Sequence, residues 1–180
     1  MIFTADWFSE HIPIWERELL PRMTNRRPSY LEIGSFEGRS LLWMLDHVPG
    51  LQATSIDPQL IDGDASWDRL NTNVGLRALL FRETSRIMLL KLQNEKYDAI
   101  YIDGSHWTDD VLFDSVLSWS LLQIGGVMIW DDYEWTFGRE EREHPKPAVD
   151  AFLACYRGCY KILHTGYQVL IEKTAESNHV

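Results

Sequence analysis

Three aspartates and one histidine are the residues of this chain best suited to chemistry. Asp103 ends the run Tyr97-Asp98-Ala99-Ile100-Tyr101-Ile102, and Asp131 and Asp132 end the run Val127-Met128-Ile129-Trp130. Three carboxylates gathered at neighbouring strand ends repel one another unless they are protonated, solvated or bound to a cation. Hard divalent cations such as Mg²⁺ take oxygen ligands, commonly a few carboxylates plus waters or substrate oxygens. Asp103, Asp131 and Asp132 are therefore the candidate metal ligands; the alternative is that Asp131 or Asp132 caps a turn or pairs with an arginine. His106 follows Asp103 closely. Its imidazole can take a substrate proton near neutral pH, or instead bond a cofactor or brace its loop. His106 and Asp103 form the candidate catalytic pair.

A second group lies near the start of the chain. The apolar run Tyr30-Leu31-Glu32-Ile33 leads into Gly34-Ser35-Phe36-Glu37-Gly38, followed by Arg39-Ser40-Leu41-Leu42-Trp43-Met44-Leu45. This reads as a buried strand, a tight glycine turn and a helix packed back on the strand. Such a turn lets backbone approach a ligand and leaves free N–H groups at the helix start. Gly38 permits close helix–strand packing, and Ser40 can satisfy first-turn donors. The spacing departs from the three-glycine dinucleotide fingerprint. Asp57 ends the next apolar run, where a carboxylate can accept from both hydroxyls of a ribose; an ordinary Asp-Pro turn is the alternative. Thr84 and Ser85 can bond an adenine edge or cap a helix. The candidate cofactor-binding residues are thus Glu32, Gly34, Ser35, Phe36, Glu37, Gly38, Ser40, Asp57, Thr84, Ser85 and Asp103.

The elements that must position these groups alternate. Phe8, Ile12, Trp15 and Leu19 predict an amphipathic helix over 7–22, and 25–29 is a polar breaker. Strands are expected at 30–33, 52–56, 79–83, 97–103 and 127–130, with helices at 71–80, from 84 through 92, at 109–122 and at 147–157. Residues 59–70 read as a loop over the strand ends and 134–146 as a charged surface loop. The segments 161–164 and 168–172 flank Gly166 as a closing antiparallel pair. This pattern is α/β: a Rossmann-like, doubly wound, mostly parallel sheet with helices on both faces and right-handed crossovers. Ligands bind beyond the carboxyl ends of such strands, which puts the glycine turn, Asp57, Asp103, Asp131 and Asp132 on one rim. Trp107, Trp130, Trp135 and Phe137 can wall an acceptor there, or pack in core and surface. His11, His47, His144, His164 and His179 read as surface or structural residues.

The length of 180 residues suits one domain with a sizeable core. Its organisation reads as an N-terminal helix and linker over 1–27, a cofactor-binding domain over 28–173 and a flexible tail over 174–180. A formal net charge of −10 argues against general nucleic-acid binding or attachment to an anionic membrane. Cys155 and Cys159 suggest two reduced thiols rather than a disulfide framework or zinc site. The first residues lack the pattern of a signal peptide and no apolar run reaches the length of a span, so a cytoplasmic protein is expected. A homo-oligomer stays open.

Four segments together resemble one family. Glu32-Ile-Gly-Ser-Phe-Glu-Gly-Arg-Ser40, Ile56-Asp57-Pro58, Tyr97-Asp-Ala-Ile-Tyr-Ile-Asp-Gly-Ser-His106 and Ile124-Gly-Gly-Val-Met-Ile-Trp-Asp-Asp132 occur in the order and spacing of class I S-adenosylmethionine-dependent methyltransferases. The branch they resemble is the small, metal-linked O-methyltransferases that include macrolide-sugar methyltransferases and cephalosporin hydroxylase-like proteins. The resemblance covers about 28–172. It implies a seven-stranded sheet with an antiparallel last strand and S-adenosylmethionine as cofactor. It places the Gly34–Gly38 turn at the methionine moiety, Asp57 at the ribose, and Asp103, Asp131 and Asp132 at a metal. The implied reaction is methylation of a hydroxyl on a small-molecule acceptor, a sugar or phenolic metabolite, with Mg²⁺ as the candidate assisting cation. The chain is short for the group and shows no extra substrate domain. A nicotinamide-dinucleotide-dependent oxidoreductase on a related sheet, and a cofactor-binding partner protein without turnover, are the competing readings.

Overall fold

The computed structural model describes residues 1–136 and 140–177. Seven strands form one sheet: β1 Ser29–Ile33, β2 Gln52–Ile56, β3 Ala78–Phe81, β4 Tyr97–Ile102, β5 Leu122–Trp130, β6 Tyr160–Thr165 and β7 Val169–Lys173, in the spatial order β3-β2-β1-β4-β5-β7-β6. The strands from β1 to β5 pair in parallel, whereas β7 runs antiparallel to both β5 and β6. This is the expected doubly wound sheet with its antiparallel last strand. The connection from β1 goes to one side and that from β4 to the other, so the chain reverses its winding between these two strands, where a crevice opens at their carboxyl ends.

Alternate residues of each strand feed two cores, as the pleat requires. Leu31, Ile33, Ile56, Ile100, Met128 and Trp130 pack against α4 Ser85–Lys91, α5 Thr108–Leu121 and α6 Pro145–Cys155. On the opposite face Tyr30, Tyr101, Val127 and Ile129 meet α2 Arg39–His47, α3 Asp64–Val74 and the N-terminal helical segment. Both faces of the central strands are covered, and β4 is buried along its whole length.

Three segments differ from expectation; β5 begins at Leu122 rather than 127, and the other two lie at 59–70 and at the first helix. Residues 59–70 contain most of α3, which ends at Val74, followed by a short turn at Gly75–Arg77 and then β3. Its apolar stripe is narrow: Leu70 and Val74, one turn apart, pack under Gly38, with Trp67 partly buried against the same core. The first helix is irregular. A 3₁₀ turn at Ser9–His11, the α turn α1 Ile12–Ile14, a π turn at Trp15–Leu19 and a 3₁₀ turn at Leu20–Arg22 follow one another. Pro13 and Pro21 each remove a donor from the run, and the widened turn seats Trp15 and Leu19 fully in the core.

Candidate active site

Backbone hydrogen bonds continue the parallel ladder one residue past the strand ends. Gly34 N–H donates to Ile56, Asp57 N–H to Phe81, Asp103 N–H to Ile33 and Asp131 N–H to Ile102, all at 2.8–3.0 Å. These bonds place the glycine turn and the acids Asp57, Asp103 and Asp131 in one row.

Gly34 has φ +85°, and a Cβ there would lie 2.0 Å from the Asp103 carbonyl oxygen. Only glycine lets the first turn touch the end of β4. Phe36 takes a left-handed φ of +46°, and its N–H donates to Asp57 Oδ2 at 2.7 Å. Asp57 Oδ1 accepts the Gln59 N–H at 2.6 Å. Each oxygen keeps a further lone pair and the side chain is half-buried, so this carboxylate fits a diol acceptor's role. Gly38, at φ +80°, precedes α2 and admits Leu70 and Val74.

Other turn residues have partners within the protein, and Ser35 and Glu37 also line the cavity at the turn. Glu32 is fully buried and accepts from Tyr30 Oη at 2.5 Å and Ser40 Oγ at 2.8 Å. Burial pushes its pKa up to about 7. Ser35 Oγ bonds Ser55 Oγ. Glu37 is buried, accepting Thr4 N–H at 2.6 Å, Thr4 Oγ at 2.7 Å and Arg69 Nε; against the cost of burial, these donors hold its pKa below the usual value. Residues 3–8 run across the turn, with Trp7 stacked on Phe36 at 5.2 Å. A cavity lies between them, reaching Ser40, Tyr101 and Asp103. Thr84 is exposed at the head of α4 without a side-chain cap, and Ser85 bonds Asp114 on α5.

At the other half of the rim, His106 Nε2 lies 2.8 Å from Asp132 Oδ2. Ligand atoms of Asp103, His106 and Asp132 fall within 4.8 Å of one another. An oxygen-rich trio with one imidazole fits a divalent cation. Asp131 is turned away from this trio: its Oδ2 accepts the Tyr101 hydroxyl and its Oδ1 accepts the Asp132 N–H at 2.8 Å. The same hydroxyl reaches Asp103 Oδ2 at 3.1 Å. Burial, then the neighbouring carboxylates of Asp131 and Asp132, push the Asp103 pKa well up. Asp131 shifts upward through burial and Asp132. For Asp132 the hydrogen bonds from His106 and Tyr167 outweigh burial and hold the pKa low. The Tyr167 hydroxyl donates to Asp132 Oδ1 at 2.6 Å.

Among the aromatic candidates, Trp135 lies 4.4 Å from the His106 ring and Trp107 is exposed beneath Arg142. Trp130 is instead fully buried, its Nε1 donating to Ser115 Oγ at 2.7 Å, because its strand position faces the core. Phe137 and His179 lie outside the described residues. His11, read as surface or structural, is buried beside Asp131. Tyr101 and Tyr167 are also rim residues that sequence reasoning missed. Tyr101 precedes Asp103 by one strand period and His11 shares the helical stripe of Phe8 and Trp15, signals that could have drawn attention to these two; Tyr167 has no such signal.

A protein family described as a methyltransferase domain matches residues 31–133. A relative from Acanthamoeba polyphaga mimivirus, itself uncharacterized, is 31% identical over 137 residues; the match covers 70% of this chain and 59% of that protein. An O-methyltransferase from Bacillus cereus, solved with S-adenosylhomocysteine (SAH), superposes with TM-score 0.72 at 13% identity, covering 95% of this chain and 84% of the other. TomG, an O-methyltransferase from Streptomyces achromogenes solved with S-adenosylmethionine (SAM), gives 0.67 at 17% identity, over 86% and 75%. MycE, a methyltransferase of mycinamycin biosynthesis solved with Mg and SAH, gives 0.71 at 16% identity, over 95% of this chain and 51% of its own. At these identities the structural likeness is one of fold. The family match spans more than half of the chain and every motif residue from Glu32 to Asp132, and the protein belongs to the methyltransferase-domain family.

Proposed function

We propose that this chain transfers a methyl group from SAM to a hydroxyl of a small molecule, a sugar or a phenolic metabolite, with help from a divalent cation. The observation that carries this reading is the row of strand ends. It sets the glycine turn and Asp57 beside the Asp103–His106–Asp132 trio. Asp57 would accept the ribose hydroxyls, the Gly34–Gly38 backbone would border the methionine end, and Asp103 joins the two halves.

Methyl transfer is an in-line displacement, so the protein mainly aligns donor carbon and acceptor oxygen; such alignment is worth about 7–11 kcal/mol in favourable cases. The acceptor oxygen bonds the methyl carbon, the carbon–sulfur bond breaks with its electron pair left on sulfur, and the hydroxyl proton goes to a base. His106 is that base: with Nε2–H given to Asp132, its Nδ1 can accept. Asp103 and Asp132 would hold a cation, with Asp131 held behind them by Tyr101; such a cation, when bound, would lower the pKa of a hydroxyl oxygen. Trp135 and Trp107 border the space where an acceptor would enter. The test is SAH release from SAM across a panel of sugars and phenols, with Mg²⁺ and with a chelator. A responsive acceptor should lose about a hundredfold or more in rate with His106→Gln. Unchanged turnover in that variant would remove His106 from the reaction.

A further inference from the structure

His11 lies in the irregular N-terminal segment, far in sequence from the rim, yet it faces Asp131 and the tyrosine that supports Asp132. Its Nε2 faces Asp131 Oδ1 at 3.8 Å. Its ring stacks on Tyr167, with centroids 5.9 Å apart and planes at 12°. Tyr167 in turn donates to Asp132 Oδ1. One imidazole therefore borders Asp131 with its edge and braces, with its face, the tyrosine that orients Asp132.

The segment carrying His11 is pinned at the same place. Trp15 Nε1 donates to Gln168 Oε1 at 2.8 Å, next to Tyr167, and Gln168 Nε2 approaches the Tyr101 hydroxyl at 3.4 Å. All of Trp15, Gln168, Tyr101 and His11 are buried. Asp132 holds a left-handed φ of +57°, a conformation that aspartate tolerates but that surrounding contacts must maintain. The two carboxylates diverge as a result: Asp131 toward Tyr101, Asp132 toward His106.

We propose that His11 is a positioning residue for this rim, setting the directions of Asp131 and Asp132 and through them the affinity for a divalent cation. The inference rests on the metal-assisted reading above. Without the imidazole, a gap opens between Asp131 and Tyr167, and both side chains gain freedom to turn. Groups that orient metal-binding carboxylates from behind commonly contribute about 10–100-fold to affinity.

The test uses the full chain and Mn²⁺ as the probe. Titration calorimetry measures Mn²⁺ and SAH affinity for wild type, His11→Phe, His11→Gln and Tyr167→Phe. His11→Phe keeps a ring against Tyr167 and removes the nitrogen facing Asp131; it should weaken Mn²⁺ binding about tenfold and leave SAH affinity unchanged. His11→Gln, which returns a polar group, should recover most of that loss. Tyr167→Phe, at a partly exposed position, should weaken Mn²⁺ in the same manner. Unchanged Mn²⁺ affinity in His11→Phe, or parallel loss of both ligands, would overturn the proposal. So would a wild type that binds SAH but no Mn²⁺, an outcome that leaves methyl transfer itself standing.

Discussion

Glu32 shows how one residue can serve the site without facing it. It sits on β1 beneath the glycine turn and ties Tyr30 to Ser40 in the first turn of α2. Its folded pKa of about 7 exceeds its usual 4.5, so the fold binds this proton more tightly than the unfolded chain does. The stability it contributes is complete below pH 4.5 and is lost as pH rises toward 7. Asp114, pushed up to about 7 by burial, contributes with the same sign. Glu32→Gln should flatten the wild-type decline, gaining on the order of 3 kcal/mol relative to wild type between pH 5 and pH 8. Denaturant unfolding at the two pH values measures this; an equal difference at both would show that Glu32 does not titrate. The sequence exposed Glu32, Asp57 and Asp103 because each ends or interrupts an apolar run, and His106 because it follows Asp103 closely. It did not expose His11 or Tyr167, whose roles depend on a contact between the N-terminal segment and the β6–β7 hairpin. It also left Trp130 ambiguous, since strand phase alone had to decide between rim and core.

The glycine turn is the element on which the rim depends, and its two glycines are not equivalent. At Gly34 an added methyl would meet backbone, the Asp103 carbonyl; at Gly38 it would meet the movable ends of Leu70 and Val74 at 2.6 and 2.9 Å. Both positions have positive φ. Gly34→Ala should therefore cost about 3 kcal/mol or more, and Gly38→Ala about 1–2 kcal/mol. Thermal melts of the two variants rank them, and the reverse order would contradict the packing described. Most elements were legible as alternating apolar runs and punctuation. α3 was not, because its buried stripe is only a few residues wide and its acids resemble a loop. The β5 strand runs from Leu122 rather than 127, since Gly125 and Gly126 read as a turn yet lie within a strand whose register shifts against β4.

At the scale of the molecule, residues 1–27 are packed into the same structure as the sheet. Phe8, Trp15, Leu19 and Met23 share a core with Tyr30, Leu41 and Tyr101. Trp119 and Trp130 lie in the core on the opposite face. Tryptophan fluorescence and far-ultraviolet dichroism should consequently report one coincident unfolding transition; two separated transitions would show an independently stable part. Among the described residues, no helix is long and apolar enough to cross a membrane. The proposed methyl transfer requires a SAM site where β1, β2 and β4 end. The most direct measurement is calorimetric titration of SAM and SAH into wild type and Asp57→Ala. Saturable binding that falls about tenfold or more in the variant, as expected when a carboxylate loses its ribose bonds, is the predicted result. No binding by wild type, or equal binding by both proteins, would contradict it.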